Sequence, residues 1–315
     1  MAVSERFRVV VTPPLAENTS APDLLRENGC EVVINHAEYP ITDSAKLGDF
    51  LSGADAIIIG LEAISDDVLA RCPNLRVLAR VGTGMDNIDF QAAARRNVTV
   101  TNTPGANSRS VAELAMSFLV MLARRCVSQH QSFQNQEWKR FAGQEVHGKM
   151  LSIVGLGHIG KKVALLAHAF GMIVLANDIA PDRDFGQTHN IPFVSFEEAL
   201  SRADFLTLHV PLTDLTRNMI DARALDLMHP GSFLVNTSRG PVANVDDIAR
   251  ALRAGHLAGF ATDVPMIETH LDVPLRGLEN VITTPHIGGY TLDALERVFK
   301  QAAENVLAVL SGENV

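Results

Sequence analysis

Apolar residues in this chain come in short runs separated by segments with helical composition. The first runs are Phe7–Thr12 (FRVVVT), Cys30–Asn35 (CEVVIN), Ala56–Gly60 (AIIIG), Leu75–Val81 (LRVLARV) and Val98–Thr103 (VTVTNT). Between them lie stretches such as Ser65–Cys72 and Asp89–Asn97. Short apolar runs bounded by turn residues predict strands buried on both faces. Their alternation with helices predicts a parallel sheet covered on each side. A longer amphipathic pattern follows, with polar residues Asn107–Ser110 and then Val111, Leu114, Ala115, Phe118, Leu119, Leu122 and Ala123 at helical spacing. A second alternating series starts near Met150. Its runs are 150–155, 172–178, 192–196, 205–210, 232–238, 258–264 and 280–284. The last pattern, Leu292–Leu310, predicts a helix that returns to the first domain, so that the chain crosses twice between domains. No repeat of solenoid period and no low-complexity segment interrupts this order.

Composition sharpens the picture. At roughly 100–200 residues per domain, 315 residues predict two domains. The hydrophobic share of 47% is that of a globular protein with real cores. A formal net charge of −9 argues against a nucleic-acid partner, which needs a positive footprint. Cys30, Cys72 and Cys126 are scattered and share no metal-ligand spacing, which predicts a reducing compartment and no metal site. The apolar run after Arg8 is too short for a secretory leader, and no run approaches the ~18 residues a membrane span needs. The expectation is a soluble cytoplasmic protein without a membrane partner.

The second series opens with SIVGLGHIGKK, in which Gly155, Gly157 and Gly160 form GxGxxG between a strand and a helix pattern. Each glycine has a mechanical reason. Gly155 permits the tight turn, Gly157 lets the backbone approach a pyrophosphate, and Gly160 lets helix and strand pack closely. The helix N-terminus offers free N–H groups to phosphates. Asp178 ends the next strand and can accept hydrogen bonds from ribose hydroxyls. It would repel a 2′-phosphate, so the expected cofactor is NAD (NADH) rather than NADP.

Three later strand ends carry ionisable residues. One run leads into Arg239, the next ends at Asp263 with Glu268 beyond it, and the third leads into His286. Carboxyl ends of parallel strands are where doubly wound sheets place ligands. An arginine can hold a carboxylate bidentately. A histidine can supply or remove the proton of a carbon–oxygen bond, and a carboxylate beside it favours imidazolium. NAD with Arg, Glu and His suggests reduction of a 2-oxo acid, or the reverse oxidation.

With these motifs in place the chain resembles the D-isomer-specific 2-hydroxyacid dehydrogenase family, in particular its phosphoglycerate dehydrogenase-like branch. The resemblance rests on VGTGMDNID (81–89), NTPGANSRSVAEL (102–114), GKMLSIVGLGHIG (148–160), LHVPLT (208–213), VNTSRG (235–240), GFATDV (259–264) and TPHIGG (284–289). It implies Arg239 as substrate-binding arginine, His286 as acid/base and Glu268 as its acidic partner. It implies cofactor contacts at Thr83, His158, Ile159, Asp178, Val210, Thr237, Asp263 and Gly288, and backbone N–H groups at Val81 and Gly82 that hold the substrate carboxylate. It also implies two Rossmann-like or flavodoxin-like parallel-sheet domains. The substrate domain would be discontinuous, 1–101 plus 288–315, around a central NAD-binding domain, 102–287. A homodimer through the NAD-binding domain is implied as well.

Two departures bear on the substrate. The loop after Asp263 reads DVPMIETH, where the family more often has Phe for Pro265 and Pro for Thr269. The loop after the third strand, IIIGLEAIS, has Gly60, Leu61 and Glu62 where phosphoglycerate dehydrogenases carry an arginine for the phosphate. Glu62 would repel phosphate and accept bonds from hydroxyl or ammonium groups, while Arg80 is a candidate anion contact. The substrate expected is therefore a small D-2-hydroxy acid or its 2-oxo acid. A 3-phosphoglycerate dehydrogenase of serine biosynthesis is the alternative, as is an NAD-sensing, corepressor-like binding protein. The end of the chain at Val315 gives the expectation of no C-terminal regulatory domain.

Overall fold

A computed structural model describes residues 6–266, 270 and 272–313. The chain divides into two compact units. Unit 1 is Met1–Asn107 with Thr291–Val315, and unit 2 is Ser108–Tyr290.

Unit 1 is a five-stranded parallel sheet in the order β2-β1-β3-β4-β5. Its strands are β1 (Arg8–Val11), β2 (Glu31–Ile34), β3 (Ala56–Ile59), β4 (Val77–Arg80) and β5 (Thr99–Asn102). The helices between them are α1 (Ala21–Glu27), α2 (Ser44–Leu51), α3 (Asp66–Ala70) and α4 (Phe90–Arg95). Asp43, Ser65 and Asp89 start α2, α3 and α4 by accepting a backbone N–H with their side chains. Every residue of β3 and β4 is buried, as continuous apolar runs require.

Unit 2 opens with α5 (Ser108–Ala123) and α6 (Cys126–Gln134). Six parallel strands follow: β6 (Met150–Val154), β7 (Ile173–Asn177), β8 (Phe205–Leu208), β9 (Ser232–Asn236), β10 (Leu257–Thr262) and β11 (Val281–Thr283). The helices among them are α7 (His158–Ala169), α8 (Arg183–Thr188), α9 (Phe196–Ser201), α10 (Ala222–Leu227) and α11 (Val245–Arg253). The sheet order is β11-β10-β9-β8-β6-β7. The run 192–196, expected as a strand, forms only an isolated bridge, Phe193 to Ala176. Pro192 lacks a ladder donor, and Ser195 caps α9 at once by accepting from Glu198 N. Even so, the bridge puts a third segment beside β7, the neighbour order of dinucleotide-binding sheets. The last helix, α12 (Leu292–Leu310), has the bounds its periodicity predicts. Its buried stripe Val298, Phe299, Ala302, Ala303, Val306 joins Val9, Val11, Ala56, Ile58, Val77 and Ala79 in one core of unit 1. Among the described residues no helix is long and apolar enough to cross a membrane.

Candidate functional site

The glycine-rich turn sits between β6 and α7, at the carboxyl edge of the unit 2 sheet. Gly155 has φ +94°, and a Cβ there would stand 2.6 Å from the His209 carbonyl oxygen. A Cβ on Gly160 would stand 2.1 Å from the Gly155 carbonyl oxygen, so α7 could not pack as it does. Gly157 differs from both, since nothing lies within 4 Å of where its Cβ would be. It is the N-cap of α7 and supplies no side-chain cap to the first N–H groups of the helix, which begins at His158. An open backbone concavity at a helix N-terminus suits a pyrophosphate. Asp178 stands beside it. Its carboxylate accepts from Leu156 N at 2.7 Å and Ala180 N at 2.8 Å, which locks the glycine turn and leaves lone pairs for ribose hydroxyls. Val210 touches the same turn, its Cγ1 being 3.0 Å from a Gly155 Cβ.

Thr237 lies past the end of β9, where its hydroxyl meets His209 Nδ1 at 3.4 Å. The other ring nitrogen meets Thr207 Oγ1 at 3.0 Å. The His209 ring is enclosed although the residue keeps some surface, and burial pulls its pKa down to about 3. A neutral imidazole therefore braces the ends of β8 and β9. His209 belongs to the motif 208–213, but no sequence signal distinguishes this bracing histidine from a surface one.

The structure brings Arg239, Asp263 and His286 to three neighbouring strand ends, those of β9, β10 and β11. Asp263 is buried, and its carboxylate accepts from Thr284 Oγ1 at 2.6 Å, Ile287 N at 2.7 Å and Gly288 N at 2.6 Å. Its carbonyl accepts from His286 N at 2.9 Å. Asp263 and Gly288, both expected as cofactor contacts, thus spend these groups on each other and on the His286 loop. Burial raises the Asp263 pKa, against the pull of those donors and of His286 itself. His286 has φ +55°, a conformation non-glycine residues adopt only when their surroundings impose it. Arg239 Nη1 donates to the Ser238 carbonyl at 2.8 Å. Glu268 lies outside the described residues. Asp272, four residues further on, accepts from Met266 N with both oxygens.

The expected contacts in unit 1 read differently. Val81 N donates to the Ile59 carbonyl at 2.9 Å, and Gly82 N to Thr103 Oγ1 at 2.7 Å. Both N–H groups are engaged within unit 1, Val81 because the β3–β4 bonding continues one residue past the strand and Gly82 because a hydroxyl just beyond β5 accepts from it. Arg80 is buried and folds its guanidinium back onto the Val81 carbonyl. Glu62 is 1% exposed, and its carboxylate accepts from Gly60 N at 3.0 Å. Its pKa is raised by burial. It is an internal group of unit 1 rather than a carboxylate offered to substrate. A Cβ at Gly60 would stand 2.1 Å from the Tyr39 hydroxyl, so that phenol fills the space a side chain at position 60 would need. Thr83 is exposed, and its carbonyl accepts from Asn102 Nδ2.

Sequence and structure comparisons agree with this fold. Residues 116–288 match the family model of the D-isomer specific 2-hydroxyacid dehydrogenase NAD binding domain. The chain is 37% identical over 312 residues to the D-3-phosphoglycerate dehydrogenase of Mycobacterium leprae, covering 98% of this chain and 57% of that protein. It therefore spans little more than half the length of that relative. It is 34% identical over 303 residues to the glyoxylate reductase of Thermococcus litoralis, covering 91% of this chain and 92% of the reductase. The solved D-lactate dehydrogenase of Aquifex aeolicus, complexed with NAD and lactic acid, superimposes with a TM-score of 0.84 at 26% identity, over 97% of this chain and 96% of that one. Unit 2 thus carries an NAD binding domain whose glycine turn and Asp178 suit the cofactor, and the chain belongs to the D-isomer specific 2-hydroxyacid dehydrogenase family.

Proposed function

We propose that this chain is an NAD-dependent oxidoreductase that interconverts a small D-2-hydroxy acid and its 2-oxo acid. The observation that carries this reading is the placement of Arg239 and His286 at the carboxyl edge of one sheet, the edge that also bears the glycine turn. When bound, NAD(H) exchanges the hydride with C2. Gly157 and the N–H groups of His158 and Ile159 would hold its pyrophosphate, and Asp178 would accept from its ribose hydroxyls. Arg239 holds the carboxylate through its planar fork. His286 donates a proton to the C2 oxygen in reduction and removes it in oxidation.

Several observations support finer points of the reading. Tyr39 over Gly60, which fills the space a phosphate-binding side chain at position 60 would need, argues for a glyoxylate-like or hydroxypyruvate-like acid over 3-phosphohydroxypyruvate. A homodimer through unit 2 is supported by α6, whose one buried residue is Ser132, and by Phe133 and Trp138, which are 64% and 79% exposed. A cytoplasmic setting without nucleic-acid or membrane partners accords with the net charge of −9 and three free cysteines. The test is NADH consumption with glyoxylate, hydroxypyruvate, pyruvate and 3-phosphohydroxypyruvate. Turnover of the unphosphorylated acids is expected. Tight NADH binding with no turnover of any would favour a sensor, and a preference for the phosphorylated acid would overturn the substrate assignment.

A further inference from the structure

Asn236 is the last residue of β9 and is 1% exposed, yet it is polar and has no role in the reading above. Both ends of its side-chain amide are engaged. Oδ1 accepts from Ser238 N at 3.0 Å and from Ser238 Oγ at 2.7 Å, and Nδ2 donates to the Arg239 carbonyl at 2.9 Å. The partners fix the orientation of the amide, because Ser238 N needs an acceptor and the Arg239 carbonyl needs a donor. The turn that presents Arg239 is therefore closed from behind by one buried amide. Ser238, held by that amide, offers its carbonyl to the guanidinium.

The backbone of the same residue faces the other catalytic group. Asn236 pairs in register with Thr262, and its carbonyl accepts from Asp263 N at 3.1 Å. The Asp263 carbonyl accepts from His286 N at 2.9 Å. Three hydrogen bonds thus run from Arg239 through Asn236 and Asp263 to His286. Gly240 adds a close approach on the same side, since a Cβ there would stand 2.2 Å from the Pro265 carbonyl oxygen. The turn after β9 and the loop after β10 are packed as one piece.

We propose that Asn236 is a positioning residue of the reaction, which sets the Arg239 guanidinium relative to the His286 imidazole. Two roles meet in one residue: the side chain holds the Arg239 turn, and the main chain anchors the Asp263 frame that holds His286. This inference rests on the proposed roles of Arg239 and His286. Displacement of a positioned group by about 1 Å is enough to cost about 100-fold in rate or binding.

The test uses the full chain, steady-state kinetics with glyoxylate, an NADH fluorescence titration, and binding of oxamate as a carboxylate-bearing analogue of a 2-oxo acid. Asn236→Asp keeps the acceptor for Ser238 but turns an oxygen toward the Arg239 carbonyl. It is expected to raise the KM for the acid and the oxamate Kd about 100-fold while NADH affinity stays within about twofold. Ser238→Ala removes one of the two bonds to Oδ1 and should show the same signature at about fivefold, with little change in Tm. In an Arg239→Ala background, Asn236→Asp should cost nothing further, because it acts through Arg239. An undiminished cost in that background overturns the proposal, as does a parallel loss of Tm and NADH binding without a selective rise in oxamate Kd. If Asn236→Asp does not fold, an unchanged oxamate Kd in Ser238→Ala overturns it. A wild-type chain that binds oxamate but turns over no acid sinks the enzymatic reading alone, and the oxamate comparison still decides this one. A wild-type chain that binds no oxamate overturns both.

Discussion

The two units share an architecture, yet their carboxyl edges are used in opposite ways. In unit 1 the polar groups past β3 and β4 are consumed locally: Glu62 by Gly60 N, Val81 N by Ile59, Gly82 N by Thr103, and Arg80 by its own loop. In unit 2 the same edge keeps a helix N-terminus uncapped at Gly157, and it holds Arg239 and His286 by their backbones. A parallel sheet gives each unit a place for a ligand. The two edges differ in where their hydrogen bonds are spent.

This contrast can be broken at several points. The largest effect should come from His286→Ala, which is expected to lower kcat at least about 1,000-fold with NADH affinity unchanged. Near-normal turnover would remove the basis for treating the unit 2 edge as catalytic. Next is the acid response of unit 2 through His209, whose folded pKa of about 3 lies below its unfolded value near 6.5. The unfolded chain takes up the proton first, so stability is full above pH 6.5 and falls as pH drops from there toward 3. The loss should be on the order of a few kcal/mol, and His209→Asn should flatten that dependence in urea melts. Gly160→Ala should weaken NADH binding about 100-fold, because a methyl group cannot pass the Gly155 carbonyl without moving α7. Fluorescence titration reads this, and unchanged affinity would show the turn to be more pliant than its contacts suggest.

The smallest effect tests unit 1. Burial raises the pKa of Glu62, so the folded state favours its neutral form. Its stability is unpenalised below pH 4.5 and declines as pH rises through the folded value. Glu62→Gln should leave the substrate ranking unchanged and stabilise unit 1 at neutral pH by about 1 kcal/mol or less. A shifted substrate ranking would restore Glu62 to the site and weaken the contrast between the edges.

The strands were legible because buried parallel strands read as unbroken apolar runs, and α12 because nineteen residues repeat one stripe. Short helices such as α8, α9 and α10 span six residues each, too few for a period to stand out. The glycine turn, Asp178, Arg239 and His286 could be found from spacing and strand ends. The fates of Val81 N and Gly82 N could not, because they depend on which residue of β3 or β5 falls opposite. Asn236 left a faint trace, a strand-final asparagine before Thr-Ser-Arg, which is the pattern of a turn closed by its own side chain. That pattern predicts a local turn and says nothing of the Asp263 frame reached across the sheet.

The left-handed backbone of His286 has a consequence for reading mutants. At φ +55° the native histidine already carries the steric cost of a Cβ, so alanine removes the imidazole at much the same backbone cost, whereas glycine also releases that cost. Alanine at 286 would therefore remove the ring alone and leave a vacant socket in a loop still tethered by Asp263. Such a variant is the natural host for imidazole added from solution, and its recovery of turnover would measure how much of the role proposed for His286 is chemistry and how much is the corner it sits on.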